Sequence, residues 1–284
     1  MTLRLTRGNF ILDLAPDLGG SVTRFSLGEQ DILRRAISDQ DARDTSAFPM
    51  VPFSGRIANG CFSTNDETVQ LAPNMPPEPH AIHGFGWQTE WHVEAQTTDS
   101  AILVHKGGGD AWPWHYTAKQ VFQLTDAGLQ LVLSVQNNSE TNMPVGLGWH
   151  PYFNRQNAKL TADTTHVWLS GDDMIPSPPV IVPEDMDLRH MRHVDELRLD
   201  YAFNVGATVQ TFEWPKLKLV QAADPIFQNL IVYVPKGENF FCVEPATHAP
   251  DAVNAPLGDD VTGLKWLAQG ETLRGTIRLD VTVR

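Results

Sequence analysis

The sequence predicts an all-β protein of the sandwich class, and three observations carry that prediction. Apolar and polar residues alternate at period two in several runs, turn signals separate the runs, and no segment carries a convincing 3.6-residue apolar stripe. Many short strands at this density build a sandwich or a barrel. The elements follow in order: AILVHK from Ala101, YTAKQVFQL from Tyr116, and LQLVLSVQ from Leu129. In the last, Leu129, Leu131, Leu133 and Val135 share one face, while Gln130, Ser134 and Gln136 lie on the other. KLKLVQ from Lys216, NLIVYV from Asn229 and FFCVE from Phe240 are also strand-like. In GTIRLDVTVR, Ile277, Leu279, Val281 and Val283 alternate with Arg278, Asp280, Thr282 and Arg284. The turn signals are DAG at 126–128, PKGEN at 235–239 and AQGE at 268–271. HMRHVDELRL, around 190–199, holds at most a turn of helix. The Pro-rich stretches at 74–84 and 174–185 read as long loops, because strand patterns resume on both sides. With no internal repeat or low-complexity tract, residues 1–284 are expected to form one domain.

The bulk numbers limit the partners. A 42% hydrophobic fraction supports a real core, and 21 glycines with 20 prolines suit strands and turns. The net charge of −13, with no Lys/Arg cluster, excludes nucleic acid as an expected partner. The N-terminus lacks a signal-peptide apolar region, and no apolar run approaches the ~18–20 residues of a membrane span. Cys61 and Cys242 are far apart and outside any Cys-x-x-Cys pair, so a reducing, cytoplasmic setting is expected.

Four stretches have the composition of a site. PFSGRIANGCF sets Arg56 among small residues, either bonded to backbone carbonyls at a strand end or serving as a donor fork for substrate hydroxyls. PHAIHGFGWQTEW holds His80 and His83, then Trp87. The spacing, repeated by His190 and His193, suits loop caps or a weak metal pair, but the chain has no HExxH and no Cys-x-x-Cys. In GLGWHPYFNR an extended backbone sends Trp149 and His150 to opposite faces, and Pro151, lacking a ladder donor, predicts a strand end there. His150 is then a buried structural histidine or a catalytic group at a strand end. In FFCVEPATHAPDAVN, Glu244 closes an apolar run, where lost water raises its proton affinity. It is either paired with a cation such as Arg56 or poised as a base.

Together and in this order, GRIANGCF, HGFGWQTEW, GLGWHPYFNR, LDYAF with Asp200, and CVEPATHAPDAVN resemble the aldose 1-epimerase (galactose mutarotase) family, from about residue 50 to the C-terminus. The resemblance implies a β-supersandwich with a cleft across one face, and interconversion of the α and β anomers of a free monosaccharide by a monomer or homodimer. It implies Glu244 as general base, His150 as general acid, His83 and Arg56 on substrate oxygens, and Asp200 on a sugar hydroxyl. The chain has His83-Gly84-Phe85 where many members have His-Gly-Gly, and Asp200-Tyr201 where many have Asp-His. These differences bear on the choice of sugar. Relatives acting on hexose 6-phosphates often carry arginine where this chain has Trp87, which points to an unphosphorylated sugar and leaves a sulfonated sugar or a pentose open.

The chemistry needs no metal or redox cofactor. A base removes the O1 proton, an acid protonates the ring oxygen, and rotation about C1–C2 precedes reclosure. Each such group typically contributes about 10²–10⁴-fold. A charged acid at neutral pH requires a raised His150 pKa, supplied by a nearby carboxylate. Glu244 must reach both proton states, so a tight arginine pair is not expected. Trp87, Tyr152 and Phe203 are candidates to stack on a pyranose face, with core packing the alternative, slightly favoured for Phe203. Competing classes are a non-catalytic sugar-binding protein on the same scaffold and a metal-dependent hydrolase using His80, His83 and His150.

Overall fold

A computed structural model describes residues 2–64 and 67–284. Hydrogen bonding joins 18 strands into one large sheet, whose paired strands run antiparallel. The sheet doubles back through the long strand Asp200–Trp214. Residues 200–204 pair with Asn229–Tyr233, whereas 209–214 pair with Leu217–Ala223. One strand thus serves two layers.

The front layer runs from Leu3–Arg7 through Phe10–Ala15, Ser21–Leu27, Ala47–Met50, Gly148–Asn154 and Phe240–Ala246 to Asn229–Tyr233. The back layer holds His92–Gln96, Ser100–Gly107, Tyr116–Leu124, Gly128–Asn137, Thr272–Val283 and Leu217–Ala223. The core lies between them. Phe153 from the front stacks on Phe212 at 4.4 Å between centroids, and Leu131, Leu133 and Ile277 close it from behind. Tyr116–Leu124 shows the predicted alternation, with every second residue buried.

The predicted strands are present, and Val194–Glu196 supplies a single 3₁₀ turn within 190–199. One expectation fails. Pro151 does not end its strand, which continues to Asn154, so His150 sits mid-strand. The ladder to Phe240–Ala246 is broken rather than finished: pairs form at Gly148↔Ala246 and again from Tyr152↔Cys242. Pro151 and Pro245 face that gap, and neither has an N–H to donate. The Val243 carbonyl instead accepts Gln221 Nε2 from the back layer at 3.2 Å.

Candidate active site

The constant register of the two strands sets position 150 opposite position 244. On its other side His150 pairs with Phe48, and Glu244 pairs with Ile231. Alternation then turns Trp149, Phe153 and Phe203 into the core, where each is almost fully buried, and turns His150, Tyr152 and Glu244 into a cleft of about 460 Å³. Arg56, His83, Trp87 and Asp200 line the same cleft, so all seven predicted site residues meet there. A wider hollow of about 1260 Å³, near Arg155 and Lys216, holds none of them.

His150 Nε2 lies 3.2 Å from Glu244 Oε1. The imidazole is held between Phe48, stacked at 4.4 Å, and Tyr152 at 4.7 Å. This apolar clamp has a consequence opposite to the expectation for His150. Burial outweighs any help from the carboxylate and lowers its pKa to about 3. Burial pushes Glu244 well above the ordinary carboxylate range, with the nearby charge of Asp200 adding to the rise. Both directions favour uncharged partners, so in the open cleft the pair holds one proton and no net charge. Glu244 Oε2 and His150 Nδ1 are buried without a hydrogen-bond partner.

Glu244 is free of arginine. Arg56 bonds Glu78 through Nε and Nη2 at 3.3 and 3.2 Å, not Glu244 and not backbone carbonyls. Asp200 stands at the open side of the cleft, its pKa raised by burial among the cleft atoms. His83 adopts φ 59°, in the left-handed region, which costs a non-glycine residue roughly 1–3 kcal/mol. Several bonds hold it there. Its own N–H donates to the Gly55 carbonyl, and its Nδ1 accepts the Gly55 N–H at 3.2 Å. Neutral His83 therefore carries its hydrogen on Nε2. Its pKa is well below normal through burial, then through His150 and Arg56. Gly84 follows at φ +66°, where a Cβ would meet the Val51 carbonyl oxygen at 2.0 Å.

Sequence reasoning missed the brace behind this turn. Asn74 Nδ2 donates to the carbonyls of Ile82 (2.9 Å) and Gly84 (2.8 Å), and its Oδ1 accepts the Ile82 N–H at 2.8 Å. It thereby fixes both neighbours of His83. The stretch after Glu244 is a second brace: Asp251 Oδ1 accepts Ala58 N–H at 2.9 Å, and Asn254 Nδ2 reaches the Cys61 carbonyl at 2.9 Å. The spacing DAVN thus secures the Arg56 loop.

His80 is a structural cap. Its Nδ1 accepts Asn59 N–H at 2.9 Å, and Nε2 lies 2.8 Å from the Asp173 carbonyl. It forms no metal pair with His83, which removes the His80-based hydrolase site. His83, His150 and Glu244 do offer ligand atoms within 4.8 Å of one another. A cation there would have to displace the proton shared by His150 and Glu244 and reverse the His83 tautomer against the Gly55 N–H. The aromatic residues are also constrained. Trp87 is 4% exposed, stacks on Phe48 at 5.4 Å, and gives its N–H to the Gly84 carbonyl. The Tyr152 ring lies under the Arg34 guanidinium at 3.9 Å, so that ring face is not open to a sugar. Phe48 and Arg34 carried no motif that would have marked them in sequence.

The fold is a large antiparallel β-sandwich, and a buried histidine–glutamate pair lies on the floor of its cleft. The sequence profile of the aldose 1-epimerase family matches residues 1–280, and the chain belongs to that family. It is 30% identical over 290 residues to the uncharacterized protein YphB of Escherichia coli, covering 98% of this chain and 97% of that one. The crystal structure of a putative aldose 1-epimerase from E. coli K12 superposes with a TM-score of 0.92 at 28% identity, covering 100% of this chain and 99% of that one. A galactose mutarotase-like protein from Clostridium acetobutylicum gives a TM-score of 0.90 at 21% identity, covering 100% and 95%, and so supports the fold.

Proposed function

We propose that this protein is a mutarotase that interconverts the α and β anomers of a free, unphosphorylated aldose. The observation that carries the reading is the His150–Glu244 contact of 3.2 Å at the floor of an open cleft. O1 and the ring oxygen are bonded to the same carbon, so one substrate presents both to adjacent protein groups. The O1–H of a bound sugar donates to the bare Oε2 of Glu244. Hydrogen bonds to the ionised form favour it, so the shared proton moves to His150. Glu244 then takes the O1 proton while His150 protonates the ring oxygen. The C1–O5 bond breaks as C1=O1 forms. Rotation about C1–C2 and reclosure, with the two roles exchanged, return the pair to its starting state.

The Nε2–H of His83, the free Nη1 of Arg56 and the carboxyl of Asp200 serve the substrate oxygens in this reading. The neutral pair supports it, because neither catalytic state requires importing a net charge into the apolar clamp. Among the described residues no helix is long and apolar enough to cross a membrane, and the two cysteines are free thiols. NMR exchange spectroscopy across a panel of free aldoses tests the function. The expected result is anomer exchange far above the spontaneous rate for at least one sugar. Saturable sugar binding with no acceleration would make the protein a binding module instead.

A further inference from the structure

The cleft contains three arginines, and two are neutralised. Arg43 pairs with Asp41, and Arg56 pairs with Glu78. Arg34 has no ion pair among the described residues. Asp44 and Glu238 act on it only at longer range. An unpaired, half-buried cation in a chain of net charge −13 needs a reason, because removing a charge from water without a partner is costly.

Its placement is well determined. Leu33 bridges to Phe153, and Arg34 N–H donates to the Tyr152 carbonyl at 2.8 Å, which ties this segment to the strand that carries His150. The guanidinium lies 3.9 Å over the Tyr152 ring and 4.7 Å from that of Phe240. Nη2 donates to the carbonyls of Arg43 (2.7 Å) and Thr45 (2.6 Å), which locks the plane. Nε is buried without a partner. Only Nη1 remains to face the cleft, and one aromatic ring, Tyr152, separates it from His150.

Resting on the mutarotase reading, we infer that Arg34 is a specificity-determining residue that binds a singly charged anionic substituent on the sugar, a carboxylate or a sulfonate. One open Nη, rather than the full guanidinium fork, suits one oxygen or a small monoanion. A phosphate dianion would leave a second negative charge beside Asp44 and Glu238 with no cation to meet it.

The test compares anomer exchange for a hexose, its uronate, its 6-sulfonate and its 6-phosphate, using wild type, Arg34→Gln and Arg34→Lys. Wild type is expected to favour the uronate or the sulfonate over the neutral hexose by at least about tenfold in kcat/KM, the scale of one charge-assisted hydrogen bond, and over the phosphate as well. Arg34→Gln should collapse the acid-to-neutral ratio by a similar factor, and Arg34→Lys should restore part of it. Equal or better turnover of the neutral hexose by wild type overturns the inference, as does an unchanged ratio in Arg34→Gln. A preference for the phosphate overturns the single-charge assignment. If no sugar is exchanged, the mutarotase reading fails by itself. Calorimetric titration with the uronate and the sulfonate then decides: binding lost in Arg34→Gln upholds the subsite, and absence of binding removes it.

Discussion

The floor and the wall of the cleft both present polar side chains, but they hold them by different means. On the floor, His150 and Glu244 stand on neighbouring strands, and antiparallel register alone brings them to 3.2 Å. On the wall, His83 stands on a left-handed turn and depends on Asn74, Gly84 and Gly55 for its position. The pair proposed to transfer protons thus stands within the large sheet itself. Of the groups proposed to hold the sugar, His83 lies on a turn and Arg56 on a short strand outside the large sheet, while Asp200 opens the strand Asp200–Trp214. Damage to the floor should remove the chemical step, and damage to the wall should weaken binding.

The largest effect is expected at the floor. His150→Ala should lower kcat by at least ~100-fold, the contribution of one proton-transfer group. Polarimetry of a freshly dissolved α-anomer measures it, and a loss confined to KM would reassign His150 to binding. At the wall, Gly84→Ala drives a Cβ into the Val51 carbonyl and displaces His83. Misplacement of about 1 Å can cost up to ~10²-fold in kcat/KM, and here the loss should appear mainly in KM. Asn74→Ala removes four hydrogen bonds but no backbone space, so a smaller KM increase is expected, about three- to tenfold, with kcat retained. A fall in kcat without a KM change would erase the division between floor and wall.

The smallest effect is on stability, and it tests the proton count of the pair. An unfolded glutamate ionises near pH ~4.3, whereas burial keeps folded Glu244 protonated to higher pH. Between those two values the folded state binds the extra proton, so its stability declines as pH rises, by up to about 1.4 kcal/mol per pH unit. His150 acts in the opposite sense. Its folded pKa of about 3 lies below the unfolded value, so stability is lost as pH falls below the ordinary histidine range toward that value. Glu244→Gln removes only the first dependence. Its Tm should gain on wild type from pH 5 to pH 8, as scanning calorimetry can show. A difference that stays flat over that range would mean that the folded pair carries no proton.

The sequence made the outer strands legible because each has one wet face, and period two survives in Tyr116–Leu124 and Thr272–Val283. The strand of His150 shows no such alternation, since six of its seven residues are buried. His150 and Glu244 were visible as residues with no evident reason to lie in apolar runs. Their proximity was not, because register between strands some ninety positions apart leaves no local mark. Pro151 misled for a related reason: a missing ladder donor reads as a strand end, and the remedy, Gln221, comes from the other layer. The lowered pKa of His150 depends on Phe48, a residue in an unremarkable run, and Arg34 and Asn74 lie in loops without a motif. The His80–His83 spacing read as a pair, yet their ring nitrogens serve different backbone groups.

The most direct test of the account is Glu244→Gln, assayed in parallel for mutarotation by polarimetry and for sugar binding by titration. Gln fills the same volume but cannot exchange a proton with O1 or with His150. Retained binding is expected, with anomer conversion at the spontaneous rate. Conversion near the wild-type rate would contradict it and place the chemistry on other groups.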